Sequence, residues 1–315
     1  MTSLRDSLNG DQLPEQCNRC DKARAMGQDS MLDVGERDVD KVGLLPSRYQ
    51  IAFSNVCNIG CWSCYEGYSS VIQEEKRKLN ILPEGYVDPT IAFNNAWPGL
   101  KETIFKSYDE HDSILINVFG GEPTISKEFV EFLQELVDRN LNGRTRIEMF
   151  TNCQNPRPGF QKVLKNNVWE HINILASIDA IGSANDWIRY GSDWKSVETN
   201  LRQLRDIADH IEIISTLSVL NAKLLPEMKR YCINNSIHHT TQILTEPWFM
   251  SVLHWDGPID LLGRKSEYED VGYGDTWNQF KSQPRSGSHK ALIDYINQFD
   301  RRSDQILEDL LNSYS

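Results

Sequence analysis

No apolar run in this 315-residue sequence approaches the length needed to span a bilayer. Met1 to Gln16 is polar and acidic and lacks the apolar core of a secretory leader, so no signal peptide is expected. Basic charge is also short: 33 Lys and Arg stand against 45 Asp and Glu, a formal net charge of −12. That balance argues against unassisted wrapping of nucleic acid, which needs a basic face, though not against a local basic pocket. Low-complexity tracts and helical-array repeats are missing. The seven cysteines are odd in number and three of them share one short loop, which does not read as a disulfide framework. A reducing, cytoplasmic compartment is expected. What is present, 39% hydrophobic and 10% aromatic residues, is the composition of a folded chain able to bury a full core.

Residues 1–45 are charged and loop-like and hold Cys17-Asn18-Arg19-Cys20. Leu44-Leu45-Pro46 then leads into a first strand, Arg48 to Ser54, with Ile51 and Phe53 on its buried side. Glu66 to Asp112 reads as a long insert, charged and helical at first. Pro83, Gly85, Pro89, Pro98 and Gly99 then break it, so no element is expected in its middle.

From Ile114 a rhythm sets in. Ile114 to Phe119 is a nearly continuous apolar run, as expected of a parallel strand covered on both faces. Ser126 is placed to cap a helix with Phe129, Phe132, Leu133, Leu136 and Val137 on one face. Strands follow at Arg146 to Phe150, Ile172 to Ile178, Ile211 to Val219 and Thr240 to Thr245. Between them the pattern predicts helices at Pro158 to Val168, after Asp193, and from Pro226 to about Asn234. Six strands alternating with helices imply an α/β fold, a parallel sheet built from right-handed crossovers. The count suits a partial (β/α)6 barrel of the TIM type, about three quarters of an eight-fold one. The expected organisation is an N-terminal segment, 1–45, a core at 46–250, and a C-terminal extension at 251–315. Leu292, Tyr295, Ile296 and Phe299, then Ile306, Leu307, Leu310 and Leu311, mark one or two helices in that extension. Trp248, Trp255 and Trp277 read as its packing, and His238-His239 as a surface loop.

In parallel α/β folds the chemistry collects at the C-terminal ends of strands. The first strand here leads into Cys57-x3-Cys61-x2-Cys64, three thiols too close to pair with one another without strain. A structural zinc site would need a fourth ligand from elsewhere. A cubane iron–sulfur cluster held by three cysteines leaves one iron open. After the second strand comes Gly120-Gly121-Glu122-Pro123, after the third Thr151-Asn152-Cys153, and after the fourth Ser177-Ile178-Asp179, with Arg189 beyond. Each is polar, small or metal-binding, whereas the strands are apolar. Taken alone, Gly120 to Pro123 reads as a tight turn, Ser177 and Asp179 as helix caps, and Arg189 as a surface partner of Asp186 or Asp193. Cys153 and Cys232 suit small buried fillers.

The cysteine spacing after a first strand, followed by Gly-Gly-Glu-Pro after the second, resembles the radical S-adenosylmethionine (radical SAM) superfamily over about residues 46–250. The resemblance implies a 4Fe–4S cluster on Cys57, Cys61 and Cys64, whose free iron is chelated by S-adenosylmethionine. It also implies cofactor-binding roles for Gly120, Gly121, Glu122, Pro123, Asn152, Ser177, Asp179 and Arg189. Glycine lets the backbone approach the ligand closely, and Glu122 accepts from the methionine amine. Ser177 and Asp179 suit ribose hydroxyls, and the planar fork of Arg189 suits the methionine carboxylate. Two positions depart from the pattern. Ser63 stands where an aromatic residue usually lies near adenine, with Trp62 and Tyr65 as substitutes. Cys153 stands where a glycine is usual, placing an extra thiol near the pocket.

A narrower resemblance is to radical SAM proteins with a half-length auxiliary-cluster ("twitch") region, many from phages. It is carried by Asn55-x-Cys57-Asn58 with Ser69-Ser70 beyond, and by Cys17-x2-Cys20 with Gly27 and Ser30. An auxiliary cluster on Cys17 and Cys20 is the less favoured reading, because Cys153 or Cys232 would have to complete it. The expected activity is reductive cleavage of S-adenosylmethionine and removal of a hydrogen atom from a peptide or protein side chain. Reduced flavodoxin or ferredoxin is the expected electron donor. Thr245, Glu246 and Trp248 are expected at the substrate mouth. The alternatives are a nucleotide or small-metabolite substrate, or a non-catalytic iron–sulfur or metal-binding interaction protein.

Overall fold

The structure, a computed structural model, describes residues 45–299. Cys17, Cys20, the N-terminal segment up to residue 44, and the stretch holding Ile306, Leu307, Leu310 and Leu311 lie outside the described residues. A division of the chain falls between Pro46 and Ser47.

Its frame is one six-stranded sheet in sequence order: β1 (Arg48–Ala52), β2 (Ile114–Phe119), β3 (Thr145–Thr151), β4 (His171–Ser177), β5 (His210–Leu217) and β6 (His238–Ile243). All five neighbouring pairs are parallel, and β1 does not pair with β6. The result is an open, partial (β/α) barrel. Crossovers run through α1 (Ser70–Lys78) and α2 (Pro89–Ser107), α3 (Lys127–Asp138), α4 (Pro158–Lys165), α5 (Gly182–Ile188) with α6 (Trp194–Arg205), and α7 (Leu225–Asn234). The expected caps form. Ser126 accepts from the Phe129 amide at α3, and Asp193 accepts from the Ser196 amide at α6.

Openness changes the burial pattern of the strands. Ile114, Ile116 and Val118 of β2 are buried against the helices, while Leu115, Asn117 and Phe119 face inward and are only half-buried. The apolar run is therefore covered on one face, not two, because an incomplete barrel leaves its inner face open.

The middle of the insert also departs from expectation. α2 continues for 19 residues straight through Pro98 and Gly99. Its start is well marked, with Asp88 accepting from the Thr90 amide at 2.9 Å and Pro89 in the first turn. An interior proline costs about 3 kcal/mol. Aromatic packing offsets that cost: Trp97 meets Phe53 at 5.0 Å and Phe132 at 5.2 Å, and Phe93 meets Phe53 at 5.5 Å. Each such pair contributes about 0.5–1.5 kcal/mol beyond its buried area.

A second apolar cluster lies under the C-terminal extension, formed by α8 (Lys265–Asp270), α9 (Gly274–Asn278) and α10 (Ser288–Ile296). Trp255 and Tyr268 are fully buried there, and Trp277 packs on Tyr268 and Phe280. His238 and His239 are not a loop but open β6. His239 is buried between Ser215 Oγ at 2.9 Å and Tyr273 Oη at 3.2 Å, while His238 stays exposed beside Glu212 at 2.7 Å. Strand alternation puts the two rings on opposite faces, which the dipeptide alone does not reveal. Among the described residues no helix is long and apolar enough to cross a membrane.

Candidate functional site

β1 runs into the cysteine loop, which is held by its backbone on both flanks. Gly60 N donates to Tyr190 O at 2.7 Å and Trp62 N to Ile188 O at 3.1 Å, tying the loop to the end of α5. On the other side Cys57 N donates to Ser70 Oγ at 3.1 Å, and Ser69 Oγ donates to Ile59 O at 3.2 Å. The Trp62 side chain is fully buried against Trp187, Tyr295 and Phe299, anchoring the loop to the second core. The three half-buried thiols of Cys57, Cys61 and Cys64 are left facing one cavity of about 490 Å³. Burial, then the neighbouring Cys61 sulfur, pushes the Cys64 thiol up to about 12 and raises Cys57 as well. Three thiols crowded into one hollow favour a positively charged occupant that stabilises their thiolates.

The strand ends of the barrel supply the rest of the wall: Gly120, Gly121, Glu122, Phe150, Thr151, Asn152, Ser177, Thr216, Gln242 and Leu244, with Arg189 after α5. Both glycines are left-handed, φ 75° and 55°. Their close approach is to the chain itself. A Cβ on Gly121 would sit 2.4 Å from Val56 O, and one on Gly120 would sit 2.8 Å from the Ala52 Cβ. That closeness lets Glu122 N donate to Val56 O at 2.8 Å and Gly121 N to Tyr68 O at 3.1 Å, locking the second strand's loop onto the cysteine loop.

Glu122 is almost wholly buried, and its carboxylate accepts four hydrogen bonds. They come from Thr124 N and Oγ1, Thr151 Oγ1 and Asn152 N, at 3.1, 2.6, 2.7 and 2.7 Å. All four donors are neutral. Burial raises its pKa against their pull. Asn152 in turn donates to Asn58 Oδ1 at 2.9 Å and reaches Cys57 Sγ at 3.9 Å.

Arg189 is buried with its guanidinium between Asp179 and the thiols. Nε lies 2.9 Å from Asp179 Oδ2, and Nη1 donates to Cys61 Sγ at 3.8 Å. Burial disfavours its charge, but the Asp179 carboxylate and Cys61 more than offset that, so the group stays cationic. Asp179 also accepts from Thr216 N at 2.7 Å, stitching the ends of β4 and β5 together.

The geometry distributes the expected site residues between the cavity wall and the layers behind it. Asp179 does not line the cavity, because its carboxylate is spent on Arg189 and Thr216 beneath the wall; Ser177 does line it. Pro123 is buried in a one-turn 3-10 helix behind Glu122. Cys153 takes φ 58°, the reason a glycine suits that position, and turns its thiol into the main core and away from the cavity. Trp62 is unavailable as an aromatic substitute for Ser63, whereas Tyr65 and Tyr68 line the cavity with their rings 4.9 Å apart. At the end of β6 the wall is Gln242 and Leu244, not Thr245, Glu246 or Trp248. Thr216, Gln242 and Tyr68 escaped the sequence reading. Alternation along correctly ended strands would have found the first two, since β5 and β6 stop two residues before the expected limits. Cys232 is buried in the main core.

Among the described residues no three His, Cys, Asp or Glu side chains form a group that holds a single metal ion. No family model and no curated protein matches the chain. Its backbone is similar to that of anSMEcpe with bound AdoMet. The hexahistidine-tagged form gives a TM-score of 0.52 and 16% identity, covering 74% of this chain and 58% of that one. The native form gives 0.50 and 16%, covering 76% and 62%. Streptococcus suis SuiB bound to S-adenosylmethionine gives a TM-score of 0.47 and 14% identity, covering 89% of this chain and 58% of that one. The chain thus covers less than two thirds of the solved structures it matches. At these identities the likeness defines the class of fold, an open six-stranded parallel barrel.

Proposed function

We propose that this chain is a radical SAM enzyme. The observation that carries the reading is that all three thiols of the C-x3-C-x2-C loop face one cavity whose remaining polar wall comes from strand ends. In a cubane each thiolate binds a different iron, so the loop has only to present three sulfurs to one space. Cys57, Cys61 and Cys64 would hold the cluster. When bound, cluster and S-adenosylmethionine together supply reductive cleavage of the cofactor and, from it, hydrogen-atom abstraction at an unreactive carbon.

The chain's own residues prepare that space. Glu122, buried among neutral donors only, offers its negative charge to the methionine amine. Arg189, held by Asp179 and touching Cys61, offers its fork to the methionine carboxylate while balancing thiolate charge. Ser177 and Thr216 take the ribose hydroxyls, Thr216 in place of Asp179. Tyr65 and Tyr68 supply the aromatic surface for adenine that Ser63 lacks. The twitch-type resemblance favours a peptide or protein side chain as substrate, with a reduced flavodoxin or ferredoxin as donor in a reducing cytoplasm. Cys17 and Cys20 belong to that resemblance as candidate auxiliary-cluster ligands.

Anaerobic reconstitution with iron and sulfide is expected to give about four irons per chain and a brown solution. Dithionite should then drive 5′-deoxyadenosine formation. A Cys57→Ala, Cys61→Ala, Cys64→Ala triple variant that still cleaves the cofactor would sink the proposal. So would a reconstituted protein with no saturable S-adenosylmethionine binding, which is the behaviour of a non-catalytic metal protein.

A further inference from the structure

The sheet ends on an edge that the proposed function leaves unused. β6 pairs with β5 on one side and with no strand on the other. Leu244 N donates to Leu217 O at 2.9 Å, which fixes the phase of the ladder. Along a parallel pair, successive residues turn their N–H and C=O groups to opposite sides, so Thr240 and Gln242 face β5 as Leu244 does. His239, Thr241 and Ile243 therefore face the free edge. Tyr273 Oη donates to His239 O at 2.9 Å from that side, as this phase requires. Above it, no described residue bonds to the edge-facing backbone groups of Thr241 or Ile243.

An unpaired strand edge is a template for another extended chain, and natural proteins blunt it with lysine, proline, a bulge or a cover. His238–Ile243 holds no lysine or proline, and its register with β5 runs unbroken. The edge also has room beside it. A closed barrel of this type has eight strands, so six leave a gap about two strands wide before β1. The edge leads to the cavity as well. Gln242 and Leu244, at the top of β6, stand on the cavity wall, and the Gln242 carboxamide has no hydrogen-bond partner among the described residues. A strand added to β6 lies about 5 Å from it, and its residue beside Gln242 turns its side chain to the same inward face. The chemistry of the edge selects the occupant. Alternating N–H and C=O groups match an extended polypeptide backbone, a pattern that nucleotides and small metabolites lack.

We propose that the free edge of β6 receives an extended segment of a polypeptide substrate as a seventh strand. That segment is hydrogen-bonded to the backbone of Thr241 and Ile243, and it delivers an inward side chain to the cavity beside Gln242 and Leu244. The inference rests on the enzyme reading only in making this polypeptide the substrate. Strand addition itself needs neither cluster nor S-adenosylmethionine.

The full chain, without cluster or S-adenosylmethionine, is titrated with fluorescein-labelled Lys-Thr-Val-Thr-Val-Thr-Lys amide, and binding is read by anisotropy. Two N-methylated forms are compared with it. Methylation at alternate residues keeps one clean edge of the peptide, and methylation at every residue keeps none. Strand addition uses a single edge, so the parent and the alternately methylated peptide are expected to bind saturably and within about twofold of each other. The fully methylated peptide should bind at least about tenfold more weakly. Equal binding by the fully methylated peptide overturns the proposal, as does the absence of saturable binding by the parent. Thr241→Pro removes an edge N–H without touching the ladder, a change that edge strands tolerate, and should weaken binding about tenfold. Hydrogen exchange on the unaltered chain decides the matter even if this variant fails to fold. The amides of Thr241 and Ile243 should exchange freely and those of Thr240 and Gln242 slowly, and the peptide should slow the first pair. If the first pair is already slow without peptide, the edge is held by another part of the chain or by a second copy, and the proposal is overturned. S-adenosylmethionine binding to reconstituted protein is scored separately. Its failure overturns the enzyme reading and leaves the strand site standing, and the reverse result does the opposite.

Discussion

Asp179→Asn removes one charge from the base of the cavity and almost no volume. Its partner Arg189 is buried with Nε 2.9 Å from the carboxylate, so the variant leaves a buried guanidinium without its counter-charge. Breaking a buried pair from one side costs about 3–5 kcal/mol. Asparagine keeps an acceptor for the Thr216 amide, now at 2.7 Å, so about 3 kcal/mol is expected. That is a large part of the 5–15 kcal/mol typical of a folded domain. Urea unfolding at pH 7, followed by the fluorescence of the eight tryptophans, measures it directly. Arg189→Met serves as the partner change. The double variant has no orphan charge, so its loss should fall at least about 2 kcal/mol short of the sum of the single losses. Additive losses, or a single loss below about 1 kcal/mol, would refute the claim that Asp179 exists to hold Arg189. In the reconstituted protein Asp179→Asn should also weaken S-adenosylmethionine binding about tenfold, because Arg189 is no longer fixed beside Cys61.

Gly121→Ala should cost at least about 3 kcal/mol and lower iron retention, since its Cβ would lie 2.4 Å from Val56 O in a left-handed backbone. Gly85→Ala, left-handed but with open space around it, should cost only about 1 kcal/mol in the same urea experiment. Burial lowers the pKa of His239 from 6.5 to about 4, so the folded state resists protonation where the unfolded state accepts it. Its contribution is complete above pH 6.5 and lost as pH falls toward 4, by about 3 kcal/mol, and His239→Gln should flatten stability over that window. Cys153→Ala should cost about 1–2 kcal/mol and leave the iron content of reconstituted protein unchanged, because the thiol is packed in the core. Lost iron would make it a ligand after all.

Much of the frame was legible in the sequence because its signals are local. Ser126 and Asp193 announce their helices through a single side chain each, and all six expected strands overlap the observed ones. α2 was not legible. Pro98 and Gly99 are local breakers, and the rings that outweigh them, Phe53 and Phe132, are supplied by distant parts of the chain. The same holds for His239, whose burial depends on Ser215 and on Tyr273 from the C-terminal extension. Thr216 and Gln242 were hidden by strand limits set two residues too far, which moves the cavity wall off its true level.

The sequence by itself determined the order of strands and helices, the placing of three thiols in one loop, and the gathering of Gly120 to Glu122, Asn152, Ser177 and Arg189 at strand ends. Those follow from spacing and alternation, which any stretch of chain carries with it. Only the tertiary structure decided which of the clustered groups face the cavity and which are spent beneath it. Ser177 and Asp179 share a side of the same strand end, yet one lines the wall and the other is consumed by Arg189 and Thr216. Gly121 is fixed by the Val56 carbonyl of another loop. Each of these depends on a partner from another strand or loop, brought within a few ångströms by folding, and no local pattern encodes that distance.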